Sequence, residues 1–240
     1  MAIYPQFRYL PAGDSALVLE IGDEIHPAIN RKIRGLVLAL EKTTIPGIRE
    51  FIPTYRSLFV QYDPAEILFG ELIGKIKQIE SQLEAAAIPE PRIVEIPVEY
   101  GGACGPDLEF VAQHNKLSPE EVIALHTDRD YQVYMLGFTP GFCYLGGLSE
   151  RLETPRLAEP RTRIPAGSVG IAGKQTGIYP IDSPGGWQLI GRTPLCLFDP
   201  NREPPVLIHA GEYVRFVRIN ENEYEKITFA TETQRHREEI

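Results

Sequence analysis

Residues 153–200 read ETPRLAEPRTRIPAGSVGIAGKQTGIYPIDSPGGWQLIGRTPLCLFDP, and no part of this stretch keeps helical spacing for three turns. Glycine or proline interrupts it at short intervals, leaving brief apolar segments such as Val169 to Ala172 and Leu189 to Ile190 between turn-forming residues. Short β-like runs separated by glycine and proline are the pattern of an all-β barrel or sandwich with long loops. The same texture extends outward. From Gly137 to Leu195 lie 11 of the 21 glycines and 7 of the 21 prolines, and the β-like reading continues to Arg218. Upstream, Tyr131, Val133 and Met135 alternate with polar or neutral neighbours across Arg129–Gly137, a strand pattern.

Before this region the periodicity is different. Phe7–Leu10 and Ala16–Ile21 are two strand-like runs joined by Pro11-Ala12-Gly13-Asp14, which predicts a hairpin. From about Asp23, Ile25, Ile29, Ile33, Leu36 and Leu40 recur at helical spacing and predict a helix ending before Pro46. Ile48–Ile52 and Ser57–Tyr62 predict two more strands. Asp63-Pro64-Ala65-Glu66 supplies an N-cap, a proline at the first helical position and a capping-box acid for a second helix running to about Ala87. The order ββαββα predicts an α+β N-terminal domain, helices on one face of an antiparallel sheet, over residues 1–90. A mainly-β domain follows over 91–230, and 231–240 is a polar tail. Residues 92–99 form a linking strand that Pro97 is expected to confine to an edge or an end. Two short helices come next, one from Gly105-Pro106-Asp107 to about Lys116 and one from the capping box Ser118-Pro119-Glu120-Glu121 to about His126.

The chain has 240 residues and a formal net charge of −9. Without a Lys/Arg run, that charge argues against nonspecific binding to nucleic acid or to an anionic membrane surface. Cys104, Cys143 and Cys196 are odd in number and never form a CxxC pair, so neither a disulfide framework nor a zinc knuckle is expected. The N-terminus has no signal-peptide pattern, and no stretch reaches the ~18 uncharged apolar residues of a membrane span. A cytoplasmic protein fits these features.

Several catalytic patterns fail on spacing. In Gly167–Thr176 a P-loop would need glycine at position 168 and a hydroxyl at 175, where the chain has Ser168 and Gln175. The stretch is either a backbone nest for an anion or a β-hairpin. Ser168 and Ser183 both lack the preceding glycine of a serine-hydrolase elbow. The five histidines show no zinc-binding spacing, so no metal site is expected. His209, beside Val206, Leu207 and Ile208, is either a core histidine or a general base. Cys143 is either a small buried filler or a nucleophile. Between Gly137 and Leu195, six basic residues (Arg151, Arg156, Arg161, Arg163, Lys174 and Arg192) outnumber four acidic ones. Such an excess suits carboxylate or phosphate groups, or an acidic partner.

The strings GFTPGFCYLGGL (137–148), 153–200 as quoted and VLIHAGEYVRF (206–216) closely resemble the family of the 5-oxoprolinase B subunit, which includes the sporulation-kinase inhibitor KipI and is often labelled allophanate hydrolase subunit 1. The resemblance is gap-free over 137–200 and much less distinctive over the N-terminal domain. It implies a cyclophilin-like barrel for the C-terminal domain. It further implies an assembly with a homologue of the 5-oxoprolinase C subunit and an A subunit of the LamB/YcsF type that cleaves 5-oxoproline to glutamate at the expense of ATP. KipI-type members imply, alternatively, inhibition of a histidine kinase. The related carboxyltransferase part of urea carboxylase implies a third role, on another amide or urea-type substrate. Residue type and position within the motif make Arg163, Gln175, Tyr179 and Arg192 the expected catalytic residues of a site shared with the C subunit. Tyr144, Lys174 and Trp187 are the expected substrate-binding residues.

Overall fold

The turn set at Pro11–Asp14 closes the first hairpin, between β1 (Ile3–Pro11) and β2 (Ala16–Gly22). Gly13 sits there at φ +72°, a conformation that favours glycine. The computed structural model describes residues 3–83 and 90–238. The chain divides into two units, Met1–Glu90 and Pro91–Ile240.

In the first unit, β3 (Ile48–Pro53) and β4 (Ser57–Tyr62) complete an antiparallel sheet of order β1-β2-β4-β3. Two helices, α1 (Pro27–Glu41) and α2 (Phe69–Glu80), complete the unit. The alternate residues Leu17, Leu19 and Ile21 of β2 and Leu58, Val60 and Tyr62 of β4 enter one core with Ile29, Ile33, Leu36 and Leu40 of α1 and Leu72 and Ile76 of α2. This is the expected α+β arrangement, with two corrections at helix starts. Helix α1 begins at Pro27 and not near Asp23, because His26 caps it, its Nδ1 accepting from the Ala28 N–H at 3.1 Å. Ile25 therefore falls outside the stripe and is 59% exposed. Asp63 caps a turn instead of a helix: its carboxylate accepts from Ala65 N at 2.9 Å and from Arg49 at 2.7 Å, and Ile67 tucks into the core before α2 starts. Helix α2 ends at Glu80 with Ser81 as its C-cap, short of the expected end at about Ala87, and residues 84–89 lie outside the described residues.

The second unit opens with β5 (Ile93–Tyr100), α3 (Leu108–His114) and α4 (Pro119–Thr127). The capping box of α4 forms in full: Ser118 Oγ accepts from Glu121 N at 3.2 Å, and Ser118 N donates to Glu121 Oε2 at 2.8 Å. The strands β6 (Asp130–Leu136), β7 (Cys143–Gly146), β9 (Ser168–Ala172), β10 (Gln175–Ile178), β12 (Gln188–Arg192) and β13 (Tyr213–Arg218) join β5 in a seven-stranded sheet of order β10-β9-β12-β5-β13-β6-β7. β7 lies against β10, where a Cβ on Gly177 would stand 3.4 Å from the Cys143 carbonyl, so the sheet nearly closes into a barrel. A separate pair, β8 (Arg161–Ile164) and β11 (Ser183–Gly185), flanks it. Ile96, Val98, Val133, Val169, Ile171, Ile190, Val214 and Phe216 fill the interior, and Val111 of α3 and Val122 of α4 pack onto the same core.

Strand β5 corrects the expectation drawn from Pro97. It lies mid-sheet, parallel to β13 on one side, with Pro97 opposite Val217. On its other side β12 pairs only at Glu99 and Tyr100. Pro97 precedes that pairing, so its missing N–H leaves no ladder bond unmade. The last element, α5 (Glu221–Glu238), is a helix that the reading of 231–240 as a polar tail does not anticipate. Its start carries a reciprocal cap: Glu223 N donates to Asn220 Oδ1 at 3.1 Å and Asn220 N to Glu223 Oε2 at 2.9 Å.

Candidate functional site

The turn Pro165–Ser168 lies between β8 and β9, closed by Ser168 N to Pro165 O at 3.2 Å with Gly167 at φ +84°. Glycine is required there twice over, since a Cβ would also collide with the Thr193 carbonyl. Two arginines hold this turn, one of them through Asp182. Ala166 N donates to Asp182 Oδ1 at 2.8 Å, Arg163 Nε donates to Asp182 Oδ2 at 2.8 Å, and Arg192 Nε donates to Ala166 O at 2.9 Å. The Ala166 N–H, then Arg163, hold the Asp182 carboxyl below its ordinary range. Behind the turn opens a cavity of about 420 Å³, walled by Asp182, Arg192, Thr193 and Cys196 on the barrel side and by Tyr224 and Thr228 of α5. Arg192 spends one nitrogen on Ala166. Among the described residues its two terminal nitrogens have no hydrogen-bond partner.

An aromatic cluster lies beside this cavity. Phe142 meets Tyr144, Tyr179 and Trp187 edge-on at 5.3, 5.7 and 5.7 Å. Tyr179 and Trp187 are buried. Burial pushes the Tyr179 hydroxyl up to about 12, so it stays protonated and can act as a donor. The cluster is anchored from below by Arg161, whose Nη2 donates to both Asp107 oxygens at 2.7 and 2.9 Å and whose Nη1 donates to Trp187 O at 3.2 Å. The same carboxylate accepts from Leu189 N at 2.6 Å, tying α3 to β12.

The seven expected site residues therefore occupy three places. Arg163 and Arg192 meet around the Pro165–Ser168 turn at one end of the β9–β10 hairpin, where the Tyr179 carbonyl also accepts from Gly167 N at 2.7 Å. The rings of Tyr144, Tyr179 and Trp187 form the aromatic cluster. Lys174 and Gln175 lie at the hairpin's other end, beyond Ala172. Arg192 pairs with Ser168, so about 13 Å of strand separates them from it at ~3.3 Å per residue. Of the two readings left open for Gly167–Thr176, the hairpin is the one found. Gly173 takes φ +56° at the first position of a two-residue loop, and Lys174 reaches Glu153 at 3.8 Å.

Cys143 takes the buried-filler role, and His209 lies in a turn and not in the core. Cys143 is 1% exposed, and burial raises its thiol to about 12. His209 is half-buried in a turn where its backbone N–H donates to Glu212 at 2.8 Å. Among the described residues no group of three His, Cys, Asp or Glu could hold a metal ion. No helix among them is long and apolar enough to cross a membrane.

The buried histidine is His126, which spacing did not mark. Its Nδ1 lies 2.8 Å from Tyr100 Oη and its Nε2 2.8 Å from Thr176 Oγ1. Thr176 donates its own proton to the Gly170 carbonyl at 3.0 Å, so it can only accept from Nε2–H, and Tyr100 donates to Nδ1. This network is complete with a neutral ring, and burial pulls the His126 pKa down to about 3. Below the ordinary value of about 6.5 the unfolded chain takes up a proton that the folded one refuses. The contribution is thus whole above pH 6.5 and falls by about 1.4 kcal/mol per pH unit toward pH 3. Urea unfolding at pH 7, 6 and 5 should show this slope, and His126→Gln, which does not titrate, should flatten it.

Comparison with known proteins places the chain. A family model described as carboxyltransferase domain, subdomain C and D, matches residues 7–208. The 5-oxoprolinase B subunit of Bacillus subtilis is 51% identical over 222 residues, covering 88% of this chain and 92% of that protein. The chain belongs to the 5-oxoprolinase B-subunit family. The Escherichia coli O157:H7 protein of the same name is 48% identical over 205 residues, 85% of this chain and 93% of its own. The urea carboxylase of Kluyveromyces lactis is 23% identical and aligns at a TM-score of 0.70 over 96% of this chain and 24% of its own, which shows the shared fold. In this member of the 5-oxoprolinase B-subunit family, the cavity presents the Arg192 guanidinium beside Asp182, Thr193, Phe198 and Tyr224, while the rings of Tyr144, Tyr179 and Trp187 pack in a separate cluster.

Proposed function

We propose that this chain is the B subunit of an ATP-dependent 5-oxoprolinase, working with homologues of the C and A subunits to open 5-oxoproline to glutamate. The observation that carries this reading is the 51% identity to a 5-oxoprolinase B subunit over nearly the whole of both chains. An unstrained lactam resists water, and ATP answers that difficulty. Transfer of the γ-phosphoryl group to the lactam oxygen, releasing ADP, makes the ring carbon electrophilic. One water then adds, the C–N bond opens with protonation of nitrogen, and a second water releases phosphate from the acyl phosphate. Glutamate, ADP and phosphate result.

Arg192 binds the substrate carboxylate or a phosphoryl group at the cavity, with Arg163 at its mouth, where its side chain is 78% exposed. Tyr179 keeps its proton, and with Trp187 and Tyr144 it forms the packed aromatic cluster, which does not line this cavity. Lys174 and Gln175, at the far end of the hairpin, act on substrate held by a second chain. Such a divided site accords with the lack of a P-loop here. The reading is tested by the balance of products: the reconstituted three-subunit mixture should release one ADP per glutamate, and this chain alone should hydrolyse no ATP. ATP hydrolysis by the isolated chain would refute the division of labour.

A further inference from the structure

The cavity behind the Pro165–Ser168 turn has a wall whose polar side chains can be accounted for one by one. Both Asp182 oxygens are engaged, by Ala166 N and by Arg163. Thr193 Oγ1 accepts from Leu195 N at 3.3 Å, and the Cys196 thiol donates to Phe198 O at 3.2 Å. On α5, Thr228 and Thr231 donate back into their own helix, to Tyr224 O and Ile227 O at 2.9 Å each. Among the described residues, two side-chain groups on this wall are left without a hydrogen-bond partner: the terminal nitrogens of Arg192 and the hydroxyl of Tyr224. They belong to different elements, β12 and α5, yet the Arg192 charge acts on the Tyr224 hydroxyl, whose proton burial holds in place. Ile181, Leu195 and Phe198 make the rest of the wall apolar.

Two donors, one of them charged, on an otherwise satisfied wall fit one negatively charged acceptor group. The charges nearby limit how much charge that ligand brings. Asp182 lies on the cavity wall between Arg163 and the Pro165–Ser168 turn. Glu99 stands opposite Arg192 across the β5–β12 ladder, and the charges of Glu99, Arg192 and Glu221 all act on the Cys104 thiol. Three carboxylates thus stand around two guanidinium groups. A nucleotide triphosphate, with several negative charges, would meet those carboxylates without the cations to offset them. A monocarboxylate brings the single charge that the Arg192 fork matches.

We propose that Tyr224 is a substrate-binding residue and that this cavity seats the carboxylate of 5-oxoproline, not the nucleotide: the Arg192 fork takes the charge, and the Tyr224 hydroxyl donates to an oxygen of the same group. The proposal rests on the reading of the chain as one component of a 5-oxoprolinase and commits its arginine site to the lactam substrate. It is tested by steady-state kinetics of the reconstituted three-subunit assembly carrying the wild-type chain or Tyr224→Phe, with 5-oxoproline and ATP varied in turn. Phenylalanine removes only a hydroxyl that has no partner among the described residues, so the Tm should stay within about 2 °C of wild type. The KM for 5-oxoproline should rise at least about 10-fold, the loss expected for one hydrogen bond to a charged group, while kcat and the KM for ATP stay within twofold. A rise in the KM for ATP with that for 5-oxoproline unchanged would assign the cavity to the nucleotide, and both values within twofold of wild type would remove Tyr224 from the site. Either result overturns the proposal and leaves the 5-oxoprolinase reading standing. A Tm several degrees below wild type, or an equal rise in both KM values, would make the hydroxyl a structural element and contradict the proposal as well. Absence of glutamate release from the wild-type mixture would overturn both readings.

Discussion

Arg192→Ala should lower glutamate release by the reconstituted assembly at least about 100-fold while the barrel remains folded. Arg192 leaves β12 with its Nε donating to the Ala166 carbonyl at 2.9 Å, which orients the fork toward the cavity. Removing that bond costs stability about 1 kcal/mol. The fork's two charge-assisted bonds to a bound carboxylate or phosphoryl group are worth about 1.5–3 kcal/mol each, so their joint loss exceeds a factor of 100. Arg192→Lys keeps the charge and loses both the fork and the hold on Ala166, and should fall between wild type and alanine. Comparing kcat/KM with Tm for the three proteins separates the site from the scaffold: full activity in folded Arg192→Ala would remove this residue from the reaction.

The largest loss of stability is expected from Trp187→Ala, about 3–5 kcal/mol, or roughly 10 °C in Tm at a few degrees per kcal/mol for units of this size. The indole is 7% exposed and packs against Phe142, Tyr179, Ile164 and Leu189. Two strand glycines make room for it: a Cβ on Gly170 would stand 3.2 Å from Trp187 Cβ, and one on Gly177 3.1 Å from the ring. No nearby chain can collapse into the space without moving β9 or β10. Since Trp187 is the only tryptophan of the chain, unfolding is followed by circular dichroism. A Tm within 2 °C of wild type would contradict the packing described here.

These glycines show why so much of the fold was legible in the sequence. Alternation in β2 and β4, the stripe from Ile29 to Leu40 and the capping box at Ser118 are local patterns, and each element formed where its pattern lies. The misreadings share one cause, a local signal whose meaning depends on distant partners. Pro97 reads as an edge residue until the short reach of β12 is known. Asp63 reads as a helix cap until Arg49 and the burial of Ile67 draw it into a turn. Helix α5 has no apolar stripe, and only the Asn220–Glu223 pair marked its start.

The candidate site was legible in composition and not in arrangement. Arginine, tyrosine and tryptophan were recognisable by residue type as candidates, but spacing alone cannot tell which end of a hairpin a residue occupies. Lys174 and Arg192 are close in sequence character and lie at opposite ends of β9. Asp182, which joins Arg163 to Ala166, was visible only as one acid among basic neighbours. His126 gave no signal at all, because its partners Tyr100 and Thr176 are 26 and 50 residues away.

The central claim is that this chain is an obligatory component of an ATP-dependent lactam-opening assembly. The most direct measurement is glutamate released from 5-oxoproline in the presence of ATP by this chain alone, by the A- and C-subunit homologues without it, and by all three together. The account predicts release from the complete mixture only. Equal release without this chain, or none from a complete and folded mixture, would contradict it.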